Sequence, residues 1–395
     1  MSILTLNGGS SSLKMGLFED EGKTRIASAS VDRIGSADAR VTFRGDPETK
    51  DEDTRAVRDH GEALDLLFER LKSDGKLEAV GAVGHRIVHG GPRFHASCAL
   101  DGDVVEELRR LAPIDPDHLP AEIAIVEAVT RRMPRTPQVA CFDTTFHRTM
   151  PRVARLLPLP AEYAAKGLER YGFHGLSYTF LLGELERVAG ERVARGRTIF
   201  AHLGSGSSLA AVRDGRCVET TMGFSPTSGV VMGTRTGDLD PGVAVYLLRH
   251  EKMSADAFDE LVNKKAGLLG VSGSSADMRD LLAREKNDSR AADAVALYCY
   301  SVRKAIGALA ATIDGLDTLV FSGGIGENGA PVRARIVEGL GYLGVAIEPA
   351  RNEAGKPVIS PEVSPCTARV MKTDEESVIA RETARIAFGE RGRAS

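Results

Sequence analysis

Two bends rich in glycine and serine follow short apolar runs in this chain. Residues 3–6 lead into Asn7-Gly8-Gly9-Ser10-Ser11-Ser12, and residues 198–203 lead into Gly204-Ser205-Gly206-Ser207-Ser208. Small residues at a strand end let backbone N–H groups and hydroxyls point at an anion without obstruction, which is how phosphates are commonly cradled. Each bend alone also fits an ordinary tight turn; the two together suggest one nucleotide held between two domains. Lys14, just past the first bend, is either a point charge for a phosphate or a solvated surface residue. A third cluster, Gly323-Gly324-Ile325-Gly326-Glu327-Asn328, follows an apolar strand but has the spacing of neither G-x-G-x-x-G nor the Walker lysine motif. Close backbone approach to a flat adenine ring and a plain strand-to-helix turn both account for it.

Charged and titratable residues in glycine-flanked loops add a second kind of chemistry. Arg86 follows His85 in Gly84-His85-Arg86-Ile87-Val88-His89-Gly90-Gly91, and Arg235 lies in Met232-Gly233-Thr234-Arg235-Thr236-Gly237-Asp238. Two guanidinium groups suit a small oxyanion, which each binds in bidentate fashion; a structural ion pair is the other reading of either one. Asp143 ends an apolar strand, and His174 sits in Tyr171-Gly172-Phe173-His174-Gly175. Each has an active-site reading beside a plainer one, a helix N-cap for Asp143 and a satisfied core histidine for His174. No pair of His or Cys has metal-ligand spacing, so the metal expected is Mg²⁺ arriving with a nucleotide.

Positioning these groups needs strands that alternate with helices. Helical periodicity covers residues 62–71, 121–132, 178–188, 255–263, 276–283, 288–313 and 375–388, and strand-like runs cover 3–6, 13–18, 79–88, 138–142, 198–203, 209–213 and 318–321. That pattern means an α/β fold. Ser11, Ser12 and Leu13 align with Ser207, Ser208 and Leu209 at an offset of 196 residues, about half of the 395-residue chain. Two tandem copies of one α/β unit are the simplest account, with the last helix expected to return to the first copy.

Composition removes other classes. Lys plus Arg number 51 against 55 Asp plus Glu, a net charge of -4, which offers no excess positive charge for nucleic acid or anionic lipid. Hydrophobic residues at 42% and charged residues at 27% are ordinary globular values. No uninterrupted apolar run approaches the roughly 20 residues of a membrane span, and the N-terminus lacks a signal-peptide pattern, so a cytoplasmic protein is expected. Five widely spaced cysteines form no C-x-x-C pair and are expected reduced and mostly buried.

Taken in order, residues 7–14, 84–91, 142–147 with 149–151, 171–175, 202–208, 223–224 with 232–241, 267–273 with 277–279, 323–328 and 374–376 carry motifs through which the sequence resembles the acetate kinase family over essentially its whole length. The resemblance implies a duplicated actin-like, ribonuclease H-like ATPase fold, with two α/β domains and an interdomain active-site cleft. Residues 1–148 with 374–395 would form the N-terminal domain, and 149–373 the nucleotide-binding C-terminal domain. It implies reversible Mg²⁺-dependent transfer of the ATP γ-phosphoryl group to acetate, giving acetyl phosphate and ADP, with Mn²⁺ as a substitute metal and a homodimer as the assembly. By carry-over, Asn7 and Glu375 would help position the metal. Lys14, His202, Leu203, Gly204, Ser205 and Gly206 would contact nucleotide phosphates, and Asp277, Met278, Arg279, Gly324, Ile325, Gly326, Glu327 and Asn328 would frame adenosine. Arg86 would bind the substrate carboxylate, Arg235 and His174 would stabilise the transferring group, and Asp143 would be the essential acid, organising metal or water. Val88, Ile114, Phe173 and Pro226 would line the acyl pocket. Thr373 and Glu376 also have capping-box spacing at the last helix.

The sequence departs from that family at Ser205, at Leu176-Ser177-Tyr178, at Thr227-Ser228 and in a longer segment 113–120. These departures bear on the phosphate contacts and on acyl chain length. Propionate and butyrate kinases are the near rivals, and a nucleotide switch of the actin or chaperone type is the rival from another class.

Overall fold

Alternation with period two decides what the first strand touches. The computed structural model describes residues 1–9, 11–45 and 50–389; Ser10 of the first bend and residues 390–395 of the expected N-terminal domain lie outside the described residues. In β1 (Ser2–Gly9), Leu4 and Leu6 pack with Leu64, Leu67, Ile125 and Val129 of the helices His60–Ser73 and Leu119–Arg132. Ile3 turns the other way, onto Ala380 and Ala384 of the helix Glu375–Phe388. A strand buried on both faces must be central, and β1 is.

The chain divides into two compact units, Met1–Thr145 with Asp374–Ser395, and Phe146–Thr373. In the first, β2 (Ser12–Glu19), β3 (Thr24–Asp32), β4 (Ala39–Gly45), β5 (Lys50–Arg55), β6 (Val80–Ile87), β7 (Cys98–Ala99) and β8 (Gln138–Phe142) join β1 in the order β5-β4-β3-β2-β1-β6-β8-β7. In the second, β9 (Thr198–Leu203), β10 (Ser207–Arg213), β11 (Arg216–Thr220), β12 (Thr318–Ser322) and β13 (Thr367–Val370) run in the order β11-β10-β9-β12-β13. The series β3-β2-β1-β6-β8 repeats this second sheet in order and in sense. Its first two pairings are antiparallel and its last two parallel, as in β11-β10-β9-β12-β13. The duplication read from two serine-rich bends is therefore a duplication of five-stranded sheets.

Helix placement repeats too. Residues 175–189 form the helix Gly175–Ala189, which follows β8 in the chain but packs Tyr178, Leu181 and Leu185 on Phe200, Ala210 and Val320 of the second sheet. The helix Glu375–Phe388 follows β13 and covers the first sheet. Its approach depends on Gly84 in β6, where any Cβ would lie 2.6 Å from Ile379 Cγ2 and would also collide with Thr383 Oγ1. Its N-cap is Asp374, whose carboxylate accepts from Ser377 N at 3.1 Å; the spacing that nominated Thr373 is off by one residue.

Other differences from the sequence reading have simple causes. Strands β3 to β5 are absent from the sequence reading; of these, β5 is exposed along its whole length and carries no apolar signal. Residues 146–148, expected in the first domain, fold with the second unit, where His147 is buried between Cys217 Sγ at 3.3 Å and the Phe173 carbonyl at 2.9 Å. The helix Ser289–Thr312 is long and apolar enough to cross a membrane by length and composition, yet Val295, Tyr298, Val302 and Ile306 are in the core of the second unit. All five cysteines are free, four of them buried.

Two buried histidines make the fold sensitive to acid. Burial lowers His85 to about 4, against a raising hydrogen bond from Gln138, and burial lowers His147 to about 4 against the Phe173 carbonyl. Depressed folded values mean that their stabilising contribution is full above the unfolded value near 6.5 and is lost as pH falls toward 4. At about 1.4 kcal/mol per unit, each histidine costs about 3 kcal/mol across that window. The urea midpoint should fall between pH 6.5 and 5, with a shallower slope in His85→Asn; a midpoint that stays level over this range contradicts the assignment.

Candidate active site

Parallel strands end at one edge, and the chemistry-bearing residues of the first unit gather there. Asn7 lies near the end of β1, Arg86 near the end of β6, and Asp143 one residue past β8. Arg86 donates from Nε and Nη2 to Asp143 Oδ2 at 3.1 and 2.6 Å, and from Nη1 to Asn7 Oδ1 at 3.2 Å. Asn7 Nδ2 in turn donates to Glu375 Oε2 at 3.0 Å. Burial disfavours the guanidinium charge, but Asp143, then Glu375 and Glu122, outweigh it, so the Arg86 pKa is raised. Three bonds use three of the five N–H groups of the fork, and two remain for a ligand oxyanion. The structural ion pair is thus present at Arg86, and it leaves part of the guanidinium's donor capacity unused.

Glu122 is the residue that sequence reasoning missed in this unit. It is buried, accepts from Val88 N at 3.1 Å, and has a pKa raised well above the ordinary value by burial, with Arg86 pulling the other way. Its spacing with Leu119, Ile123 and Val126 at i, i+3, i+4 and i+7 of one helix put it on an apolar face, a signal that was there to be read. Of the expected acyl-pocket residues, Val88 is buried in this unit, and Ile114 packs against the cluster of Ile87, Phe94 and Phe142. Lys14 is exposed on β2, opposite Asn7 in the ladder.

The second unit holds the rest. A cavity of about 640 Å³ is lined by Gly204, Ser205, Asp277, Met278, Arg279, Gly324, Ile325 and Asn328, together with Ala276, Leu282, Gly329 and Pro331. Asp277 is also an N-cap, accepting from Arg279 N at 2.8 Å, and the Arg279 side chain keeps its carboxylate below the usual range. Leu203, Gly326 and Glu327 do not line the cavity. Leu203 is a core residue, Gly326 is buried against Ala201 and Leu203, and the Glu327 carboxylate accepts from Gly323 N and Thr373 N at 3.1 and 3.4 Å. Arg333, buried and held by Asn352, donates to the carbonyls of Gly326 and Glu327 at 2.8 and 2.9 Å and so fixes the cavity's glycine-rich wall from behind.

Beside Ser205, Gly206 has no side chain where two basic groups converge. A Cβ there would stand 3.4 Å from His174 Nε2 and 3.7 Å from Arg235 Nη1. Arg235 Nη1 donates to the carbonyl of Pro226 at 3.2 Å, so Pro226 holds this arginine. His174 adopts a left-handed conformation (φ 60°) at the start of the helix Gly175–Ala189, and the preceding Phe173, buried, is anchored by His147. The His174 and His202 rings stack with centroids 4.4 Å apart. His174 is not a plain core residue, since its ring borders Gly206 of the second bend.

Among the described residues, no group of three His, Cys, Asp or Glu could hold a metal on its own. Glu375 offers carboxylate oxygens, one of which accepts from Asn7 Nδ2, and the Asn7 amide oxygen accepts from Arg86 Nη1. That set is too small for an all-protein cage and fits a small cation that keeps most of its waters and binds phosphate oxygens, as Mg²⁺ does.

Known proteins are similar to this chain along nearly its whole length. The family model described as the acetokinase family matches residues 2–381. Acetate kinases from Clostridium botulinum (strain 657 / Type Ba4) and Rhodopseudomonas palustris are 41% and 40% identical, each over 98% of this chain and 99% of the relative. Among solved structures, Porphyromonas gingivalis acetate kinase superposes with a TM-score of 0.87 at 36% identity, and a propionate kinase from Francisella tularensis with 0.90 at 33%, each covering 98% of this chain and 99% of the other. The duplicated sheets are thus those of a two-domain actin-like ATPase fold, and the chain belongs to the acetokinase family.

Proposed function

We propose that this protein is an acetate kinase, which transfers the γ-phosphoryl group of ATP directly to acetate and runs in both directions. The observation that carries the reading is the convergence of His174 and Arg235 on Gly206, beside a cavity walled by small residues. Phosphoryl transfer through a loose transition state asks for positioning and charge stabilisation, and two donors over a glycine supply both. A carboxylate acceptor with a pKa near the roughly 4.3 of a glutamate side chain is ionised at pH 7, so no general base is required. The two remaining N–H groups of Arg86 bind that carboxylate, while Asp143 and Asn7 keep the guanidinium oriented. The cavity takes adenosine, with Gly204, Ser205, Gly206 and His202 on the phosphates. Mg²⁺, when bound, neutralises phosphate charge, and Asn7 and Glu375 are the residues that would hold it.

Propionate is the second acceptor to consider, because the Francisella tularensis propionate kinase is 33% identical to this chain. One added methylene is worth only about 1 to 3 kcal/mol of discrimination, so the preference for acetate is modest. Consumption of ATP supports a cytoplasmic location. A homodimer is supported by the helix Pro241–Arg249, none of whose residues is buried and on which Val243, Val245, Tyr246 and Leu248 are 39% to 54% exposed. Apolar side chains exposed around the whole of this helix ask for a partner surface, and a second copy would provide one.

Acyl phosphate trapped as the hydroxamate, with ATP and Mg²⁺ against acetate, propionate, butyrate and no acid, tests the reading. Product is expected with acetate at least equal to propionate; no product with any acid refutes the kinase. Arg235→Ala should keep ATP affinity and lose turnover on the order of 100-fold or more, and near-normal turnover removes its role. Tyr246→Glu should shift the sedimentation coefficient from dimer to monomer; an unchanged dimer locates the interface elsewhere.

A further inference from the structure

Behind the stacked histidines run two short chains of hydroxyl groups. The Tyr178 hydroxyl bonds Ser208 Oγ, and Ser208 Oγ lies 2.9 Å from His174 Nδ1. In parallel, Thr373 Oγ1 lies 2.8 Å from Ser177 Oγ, which lies 2.8 Å from His202 Nδ1. The arrangement is reciprocal. His174 begins the helix that carries Ser177, the partner of His202, and His202 on β9 pairs across the ladder with Ser208, the partner of His174. Tyr178, Ser177 and Ser208 are buried, so these bonds form away from water.

Which way the protons point follows from acceptor strength. A neutral imidazole carries one N–H and one lone pair, and the hydrogen bond made by one nitrogen decides which nitrogen holds the proton. The ring nitrogen is the strongest acceptor in either chain, and a phenol donates better and accepts worse than an aliphatic hydroxyl. We propose that the two chains lock the tautomer of both histidines: Tyr178 donates to Ser208 and Ser208 to His174 Nδ1, while Thr373 donates to Ser177 and Ser177 to His202 Nδ1. Both rings then carry their proton on Nε2. For His174 this turns an N–H, rather than a lone pair, toward Gly206 and the neighbourhood of Arg235. An N–H attracts a phosphoryl oxygen; a lone pair repels it. Ser208, Tyr178, Ser177 and Thr373 are positioning residues in this scheme, whose benefit to catalysis rests on the kinase reading while the tautomer itself does not.

The test is a two-bond ¹H–¹⁵N correlation spectrum of the full-length ¹⁵N-labelled protein near pH 7. The chain has nine histidines, so His174→Gln and His202→Gln assign the two signals. Each ring should show a protonated Nε2 and an unprotonated Nδ1. Ser208→Ala should release His174 into a mixture of tautomers, leave the His202 pattern intact, and lower kcat by about tenfold or more with little change in KM for ATP; Ser208→Thr should restore both readouts. A protonated Nδ1 on either ring of the unaltered protein overturns the proposal, as does a Ser208→Ala spectrum in which His174 is unchanged. Protonated Nε2 signals in a protein that phosphorylates no acid leave the lock standing and remove the kinase reading instead.

Discussion

A guanidinium withdrawn from water needs partners for its charge and its N–H groups, and the pairing of Arg86 with Asp143 sets what the first unit must look like. Asp143 is wholly buried and Arg86 nearly so, with 15% of its side chain exposed. Such a pair needs two adjacent strands that end together, which parallel β6 and β8 provide. It also needs an outer ring of polar groups, and Asn7, Glu375 and Glu122 form that ring. Glu375 reaches this cluster because the final helix returns to the first sheet, and the return is possible because Gly84 leaves room for Ile379 and Thr383. A single buried charge thus connects the strand order, the helix that closes the unit, and the two N–H groups left for a ligand.

The second unit solves the same positioning problem with neutral groups. Its sheet repeats the first in order and sense, yet the edge that carries Asn7, Arg86 and Asp143 in one carries His202, Ser322 and Thr373 in the other. Hydroxyls and backbone donors replace the ion pair. The difference suits the ligands proposed for each: a small carboxylate needs one fixed cation, whereas a triphosphate needs many donors and close backbone approach. Duplication supplied the same five-stranded core twice, and the side chains at the strand ends differ between the copies.

How much of this was legible in the sequence depends on which force sets each feature. The helices of residues 60–73, 175–189, 289–312 and 375–388 and the strands β1, β8, β9 and β12 announce themselves through apolar periodicity, because burial creates the pattern. Glycine-rich bends and glycine-flanked arginines were legible for the same reason that they work, since bulk is excluded where an anion must come close. Strand β5 has no buried face and leaves no trace. Glu327 was read as a nucleotide contact from its place in a motif, but its carboxylate turns back onto Gly323 N and Thr373 N. The departure at Tyr178 was taken to alter phosphate contacts; the structure puts its hydroxyl one step removed, on the serine that holds His174. Partners separated by some 30 to 200 residues, such as Tyr178 with Ser208 and Ser177 with Thr373, are set by sheet order and cannot be read from local spacing.

The chemistry itself explains why two histidines here are braced as donors rather than poised as bases. An acceptor that is already an anion brings its own lone pair to phosphorus, so proton removal gains nothing. What grows during transfer is negative charge on the equatorial phosphoryl oxygens and on the leaving group, and only groups that offer N–H or positive charge stabilise it. A histidine free to change tautomer would meet that charge with a lone pair part of the time. Holding both Nδ1 atoms on hydroxyls, with Arg235 pinned by the Pro226 carbonyl, commits His174 and Arg235 beside Gly206 to donation before the nucleotide arrives. Preorganisation of this kind avoids the cost of reorienting dipoles during the reaction, which is where electrostatic stabilisation in water loses most of its strength.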